Sequence, residues 1–511
     1  MKKFATIILM SLMCCLCTYA DNIIPKHEIR AVWLTTLGGL DWPHTYAVSK
    51  YSAEKQKREL TRILDKLQDA GFNCVLFQVR TRSAVLYPSD IEPWAPCLSG
   101  QFGKSPGYDA LAFATDECHK RGMEIHAWVT TIPAGSWNSK ECRAIRKKMP
   151  HAVKRDGAYG YLDPSRREVA DYLADLCGEI ASRYDVDGIH LDYIRYPETV
   201  RTGISAAKAR TNITEIVRDI YFRVKSVKPW IKMSCSPIGK YSDLSRYSSR
   251  GWNARDRVHQ DAQSWLRDDI MDIVFPMMYF RNDNYFPFLI DWTDNKYSGH
   301  VATGLGIYML SPNEGNWNLD DITRQMYVAR QYETGYAFFR SKFLTDDIKG
   351  IYSFTKDIFN IYPAMMPETK CHNVELPSAP AHIDVKYSGD YYIISWDEGR
   401  WFDRSPYCSY NVYASDEYPV NTDDVRNLIR YRTRKTEAAV RRCSKPLYFA
   451  VTTTDRYGRE SSVTQQEITT RTHENNFIKC NNGVARLEGI DGDVEFIVVE
   501  SLQGNIIATK K

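Results

Sequence analysis

After residue 20 the chain has no apolar run approaching the roughly eighteen residues that a membrane-spanning helix needs, so no later span is expected. It has no excess of one charge. Its 67 Lys and Arg against 63 Asp and Glu leave a formal +4, too balanced for a nucleic-acid partner held by phosphate neutralisation. From Cys74 to Cys480 the cysteines are irregularly spaced without a CxxC pair, which argues against a structural metal framework but leaves disulfides open. Leu37-Gly38-Gly39-Leu40 lacks the phosphate-cradling glycine pattern of a doubly wound dinucleotide fold. No HxH pair stands in Arg30–Thr36, where barrel amidohydrolases hold a metal. His126, His190 and Asp192 are therefore not read as a metal site, and no cofactor is expected.

What is present is ordinary globular composition over 511 residues, 43% hydrophobic and 25% charged, enough for about three domains. The aromatics stand out: 33 Tyr, 19 Phe and 12 Trp. Tyrosine carries an apolar ring and a hydroxyl that needs a partner, so the excess fits either half-buried strands or a cleft for a polar ligand such as a sugar. Lys2 and Lys3, the apolar stretch from Phe4 to Cys17 and Thr18-Tyr19-Ala20 form the three-part pattern of a secretory signal over residues 1–20. Cys14, Cys15 and Cys17 lack the small preceding residue of a lipoprotein signal, so a free exported protein is expected, in the periplasm, at the cell surface or secreted. Cys74 and Cys177 fall in apolar patterns and read as plain buried thiols.

From Glu28 onward one theme repeats: a β-rich apolar run, a polar loop, an amphipathic helix. The expected strands are 30–36, 74–80, 124–130, 188–193, 232–236, 273–279, 301–308 and 335–339. The expected helices are 53–70, 110–121, 166–183, 206–225, 257–267, 319–332 and 346–360, with Gly71 as a stop and Asp163-Pro164 as a cap. Such alternation predicts a (β/α)8 TIM barrel over residues 28–360. Pro363, Pro367 and Pro377 mark a linker over 361–377. Beyond it, Trp396, Tyr410-Asn411-Val412-Tyr413, Tyr448-Phe449-Ala450-Val451 and Asp455-Arg456-Tyr457-Gly458 lie on short alternating runs. This pattern over 378–470 resembles a fibronectin type III sandwich. Residues 471–511 read as a small β tail that faintly resembles the C-terminal sorting domains of type IX secretion.

In a barrel the C-terminal strand ends carry the chemistry. The fourth run, Gly188-Ile189-His190-Leu191-Asp192, alternates so that His190 and Asp192 face inward, with Asp192 at the top followed by Tyr193 and Arg195. An inward carboxylate at a strand end is a costly placement that suits a catalytic group. Period two also turns Gln78 and Arg80 inward, with Arg82 just beyond, and likewise His126 and Trp128; Tyr279 ends the sixth run. Together these polar and aromatic groups suit recognition of a sugar, with Trp128 as a stacking surface.

Five motifs occur in a familiar order: Glu28-Ile29-Arg30-Ala31-Val32-Trp33-Leu34, Gly71-Phe72-Asn73, Tyr161-Leu162-Asp163-Pro164, Tyr184-Asp185-Val186-Asp187-Gly188-Ile189-His190-Leu191-Asp192 and Pro276-Met277-Met278-Tyr279. From residue 28 to about 340 the chain resembles the glycosyl-hydrolase-like family 10 proteins. The resemblance implies a barrel related to the alpha-amylase clan and a polysaccharide substrate, with peptidoglycan glycan strands the guess the family suggests. It also implies Asp192 as nucleophile. The clan's partner Glu at the end of strand five is missing from Met233-Ser234-Cys235-Ser236-Pro237. Asp243, a loop away, is the first candidate for the second carboxylate, with Glu198, Asp283 and Glu314 in other rim loops. The alternatives are attack by a substrate N-acetyl group, or a barrel that binds glycans without cutting them.

Overall fold

A computed structural model describes residues 24–371, 374–398, 409–443 and 445–466, together with the strands Phe477–Asn481, Val484–Glu488, Ile497–Glu500 and Ile506–Lys510. The expected signal over residues 1–20 lies outside the described residues. Eight parallel strands close into a barrel: β1 (Arg30–Leu34), β2 (Cys74–Arg80), β3 (Glu124–Thr130), β4 (Gly188–Asp192), β5 (Lys232–Cys235), β6 (Ile273–Val274), β7 (His300–Leu305) and β8 (Gly335–Phe339). Each pairs with its neighbour in sequence and β8 pairs back to β1. The (β/α)8 class is therefore the fold of this part of the chain.

The helices follow the apolar periodicity where their ends are signed. Lys50–Asp69 starts on a capping box between Ser49 and Ser52. It stops before Gly71, whose φ of +74° and close approach to Asn360 leave no room for a side chain. Four expectations change. β6 ends at Val274 because Pro276, two residues on, has no N–H for the ladder, and Met277 rejoins only through isolated bridges to Ile238 and Gly304. The helix expected over 257–267 is split into Ala254–Arg257 and Ala262–Arg267 by His259 at φ +62°. The one expected from 346 starts only at Ile351, after Asp347, Lys349 and Gly350 all take positive φ. Asp163 caps no helix: its Oδ1 accepts from Ser165 N at 3.0 Å and Ser165 Oγ at 2.8 Å, and the helix begins at Arg167.

Several elements had no sequence expectation. Phe286–Asp294, between β6 and β7, is apolar nearly throughout and has no side-chain cap. After β3 the chain makes an antiparallel three-stranded excursion, Pro133–Ser136, Val153–Asp156 and Tyr159–Leu162, around the helix Lys140–Lys148.

Alternation along the strands divides the barrel core. Val32, Leu34, Ile189 and Leu191 face the helices, while Ala31, Trp33, Leu76, Trp128 and Phe275 fill the interior. The interior is also polar in one ordered file. Trp33 Nε1 donates to His190 Nε2 at 3.2 Å. An indole N–H can only donate, so His190 carries its proton on Nδ1 and donates to Ser234 Oγ at 3.1 Å. Ser234 Oγ also lies 3.1 Å from His126 Nδ1, and His126 Nε2 lies 3.5 Å from Glu124, which Lys232 Nζ holds at 2.6 Å. Burial, reinforced by His126, keeps His190 well below the usual imidazole range and therefore neutral.

The chain divides into two compact units, the first running to Val374 with Arg456–Arg459 and the second holding the rest. In the second, Ile383–Ser388, Tyr391–Trp396 and Glu437–Arg441 form one antiparallel sheet. Ser409–Ser415, Leu428–Thr433, Tyr448–Thr454 and Thr464–Gln465 form another. The two sheets share a core of Ile394, Trp396, Tyr410, Val412, Phe449 and Val451, so this region is a β-sandwich. The tail strands pair as two antiparallel ribbons. Among the described residues no helix is long and apolar enough to cross a membrane. Cys74, Cys118, Cys177 and Cys235 are buried free thiols.

Candidate active site

A cavity of about 710 Å³ opens over the C-terminal ends of the barrel strands, and Asp192 sits in its wall. The carboxylate is 5% exposed and held from three directions. Ser236 Oγ donates to Oδ1 at 2.8 Å, Tyr193 N donates to the same oxygen at 2.9 Å, and Trp128 Nε1 donates to Oδ2 at 3.0 Å. Burial pushes the Asp192 pKa up, and the bond from Ser236, the Arg195 charge and the other two donors pull against it. Oδ2 keeps an acceptor position beyond Trp128. The next residue, Tyr193, has φ +53°, a strained conformation for a bulky side chain of the kind that collects at functional sites.

If the ionised form is the working one, activity falls as pH drops through the Asp192 pKa. Ser236→Ala removes a donor that favours the charged form, so the acid limb of the kcat/KM profile is expected to move to higher pH. A limb that stays in place or moves down would show that another group sets it.

The structure brings seven of the residues expected to act on or hold a sugar to this cavity: Gln78, Arg82, Trp128, Asp192, Tyr193, Arg195 and Tyr279. Gln78 is occupied: its Oε1 accepts from Thr35 Oγ1 at 2.7 Å, Thr36 N at 3.0 Å and Leu37 N at 3.1 Å, clamping the loop after β1. Trp128 is buried and directs its N–H at Asp192, so it orients the carboxylate; the expected open stacking surface is not there. Arg195 lies 4.3 Å from the Tyr193 ring and pairs through Nη2 with Glu198, and its Nε and Nη1 have no partner. Tyr279 stacks on Phe339 at 5.4 Å, and its buried hydroxyl also has no partner. Buried donors without acceptors mark where a ligand oxygen would be welcome.

Four expected residues lie elsewhere. Between Gln78 and Arg80 the register with β3 shifts by one residue, pairing Gln78 with Trp128 and Arg80 with Val129. This bulge reverses the alternation, so Arg80 points outward to Glu92 and Tyr172 and away from the sugar-binding position expected of it. His126 and His190 are sealed in the file beneath the cavity and do not line it. Asp243 is exposed in its loop, where it accepts from Ser249 N and Oγ at 2.5 and 2.6 Å, and it does not reach the cavity. Of the other rim carboxylates, Glu198 lines the cavity, and Asp283 and Glu314 do not.

The excursion after β3 adds Asp156, Tyr159 and Tyr161 to the wall. A signal for it exists in the sequence: Gly157-Ala158 is the two-residue turn between the paired Asp156 and Tyr159, with Gly157 at φ +55°, and a glycine at the first turn position marks one class of tight hairpin. Among the described residues no cluster of three metal-ligating side chains forms.

The fold and site define a TIM barrel with a buried strand-four carboxylate facing an aromatic and polar cavity at the end where such barrels carry their chemistry. The sequence profile described as Glycosyl hydrolase-like 10 matches residues 28–310, and the chain belongs to that family. It is 27% identical over 400 residues to Glycosyl hydrolase YngK of Bacillus subtilis (strain 168), covering 71% of this chain and 78% of that protein. It is 32% identical over 290 residues to Glycosyl hydrolase DigH of Escherichia coli (strain K12), covering 50% of this chain and 66% of that one. Among solved structures, an alpha-L-fucosidase isoenzyme 2 from Paenibacillus thiaminolyticus superposes with TM-score 0.43 at 13% identity, over 67% of this chain and 51% of that one. The endo-beta-1,4-mannanase from Thermotoga petrophila gives 0.41 at 11%, over 87% and 98%.

Proposed function

We propose that the protein is an exported glycoside hydrolase that cleaves O-glycosidic bonds of an envelope or dietary polysaccharide. Amino-sugar polymers, peptidoglycan glycan strands first, are the substrates to try. The observation that carries this reading is the Asp192 carboxylate, fixed by Ser236, Tyr193 N and Trp128 in the wall of a ligand-sized cavity.

Asp192 meets the developing positive charge at the anomeric carbon as nucleophile or, where the substrate's own N-acetyl oxygen attacks, as the carboxylate that orients and stabilises it. Glu198, which lines the same cavity, is the candidate acid for the leaving oxygen, a role that requires it to give up its ion pair with Arg195 and take up a proton. Arg195 and Tyr279 supply donors to the sugar. The second reading is a barrel that binds glycans without turnover. It is favoured by the engagement of both other cavity carboxylates, Glu198 with Arg195 and Asp156 with Thr199.

Incubation with purified peptidoglycan and a polysaccharide panel separates them. New reducing ends from at least one polymer are expected. Binding to a polymer without any product would establish the second reading instead. Export is tested by the N-terminus of the native protein, expected to begin after Ala20.

A further inference from the structure

The barrel mouth holds more hollow than one catalytic cavity needs. A second hollow of about 510 Å³ adjoins the first, and Leu37, Thr81 and Arg82 form walls of both. A third of about 420 Å³ shares Tyr279 with the first and is lined by Arg281, Asp283 and Trp317. Around a closed eight-stranded barrel, the loop after β2 and the loop after β6 stand four strands apart, on opposite sides of the mouth. Asp192, at the end of β4, comes between them.

The chemistry of the two flanks suits sugar rings. In the second hollow Tyr46 is 59% exposed, and its ring lies against the backbone of Gly100, where a Cβ would stand 3.1 Å from the ring. Gly38 and Gly39 hold positive φ there with open space above their α-carbons, so bare backbone forms part of the surface. In the third, the Trp317 ring is buried beneath the Arg281 guanidinium at 5.0 Å beside Asp283, so this flank offers charged and polar groups to sugar hydroxyls and no stacking face. Tyr159 and Tyr193, both exposed, line the middle cavity. Exposed rings on one flank and in the middle, with charged and polar groups on the other flank, suit the apolar ring faces and hydroxyl edges of a glycan chain.

We propose that the three hollows form one open cleft that binds an internal stretch of a polymeric glycan across Asp192, so that the protein cuts endo, with Tyr46 on one flank and the Arg281–Trp317 hollow on the other as distal sugar subsites. This rests on the glycan-hydrolase reading and adds its mode of attack. A site that trims chain ends is closed on one side of the cleaved residue, whereas here a further hollow adjoins the central cavity on each side, behind Leu37, Thr81 and Arg82 on one flank and Tyr279 on the other.

The test uses size-fractionated peptidoglycan glycan strands, or strands of whichever panel polysaccharide is cleaved. Wild type is expected to shorten long strands quickly into a broad range of products. Tyr46→Ala is expected to lower the ratio of kcat/KM on long over short strands about tenfold, the effect of losing one stacked ring. Phe222→Ala, an exposed aromatic on the helix Ala206–Val227, leaves that ratio unchanged. Release of single terminal units only, or an unaltered ratio in Tyr46→Ala, overturns the cleft. Binding to the Asp192→Asn protein keeps the question open to measurement without turnover. Affinity that rises with strand length and weakens on adding Tyr46→Ala supports the cleft, and length-independent affinity overturns it alone. Failure to bind any polysaccharide overturns the glycan reading itself.

Discussion

Asp192→Asn is expected to lower glycan hydrolysis about a thousandfold or more while the barrel stays folded. The carboxamide has nearly the same shape, so Oδ1 can still accept from Ser236 and Tyr193 N. Its amide nitrogen would then face Trp128 Nε1, two donors opposed where a donor and an acceptor now meet. That mismatch costs about 1–3 kcal/mol. It is partly offset, because burial already disfavours the Asp192 charge in the folded protein and the variant carries none. Catalysis has no such compensation, since a neutral amide neither attacks the anomeric carbon nor balances its charge. The measurement is kcat/KM on the cleaved polysaccharide beside circular dichroism and glycan affinity. Activity within threefold of wild type would remove Asp192 from the mechanism. Unchanged affinity with lost turnover would assign it to the chemical step and not to binding.

The contrast between Asp192 and Arg80 shows what strand alternation can carry. In β4 the period of two runs unbroken from Gly188 to Asp192, so the inward positions follow from the residues alone, and the buried carboxylate stands where they put it. In β2 the same rule fails at the last residue, because one extra residue in the ladder turns Arg80 over, and nothing in Phe77-Gln78-Val79-Arg80 announces a bulge. Trp128 was legible as an inward residue but not in its role, since the direction of an indole N–H depends on Asp192, 64 residues away. Asp243 failed for a related reason: sequence distance along a loop does not say which way the loop runs. The tyrosines divide accordingly. Tyr46, Tyr159 and Tyr193 line the hollows of the mouth, while Tyr392, Tyr410 and Tyr413 are buried in the sandwich.

Arg80, misplaced by alternation, carries the second large effect. Its guanidinium has no exposure; burial works against its charge, and Glu92 more than offsets this. Nε lies 2.9 Å from both Glu92 oxygens, Nη2 lies 2.6 Å from Oε1, and the Tyr172 hydroxyl donates to that same oxygen at 2.6 Å. Glu92→Gln keeps the volume but turns an amide N–H₂ toward a buried guanidinium that has lost its counter-charge. Breaking a buried pair from one side costs about 3–5 kcal/mol, which for a barrel of this size lowers its thermal midpoint by about 5 °C. The damage is expected to reach the site as well. Arg80 Nη1 also holds the carbonyls of Thr130 and Thr131, and Thr131 donates through both N and Oγ1 to the Asp192 carbonyl at 2.9 Å. Loosening Arg80 therefore frees the strand end that seats the carboxylate, and kcat should fall at temperatures where the variant is fully folded. Replacing the whole group with apolar residues, Arg80→Met with Glu92→Leu and Tyr172→Phe, should recover much of the midpoint, because no charge is then left buried. It should not recover kcat, since the Thr130 and Thr131 carbonyls still lack their donor. A Glu92→Gln midpoint within 1 °C of wild type would mean that water reaches the guanidinium and that the pair bears little of the barrel's stability.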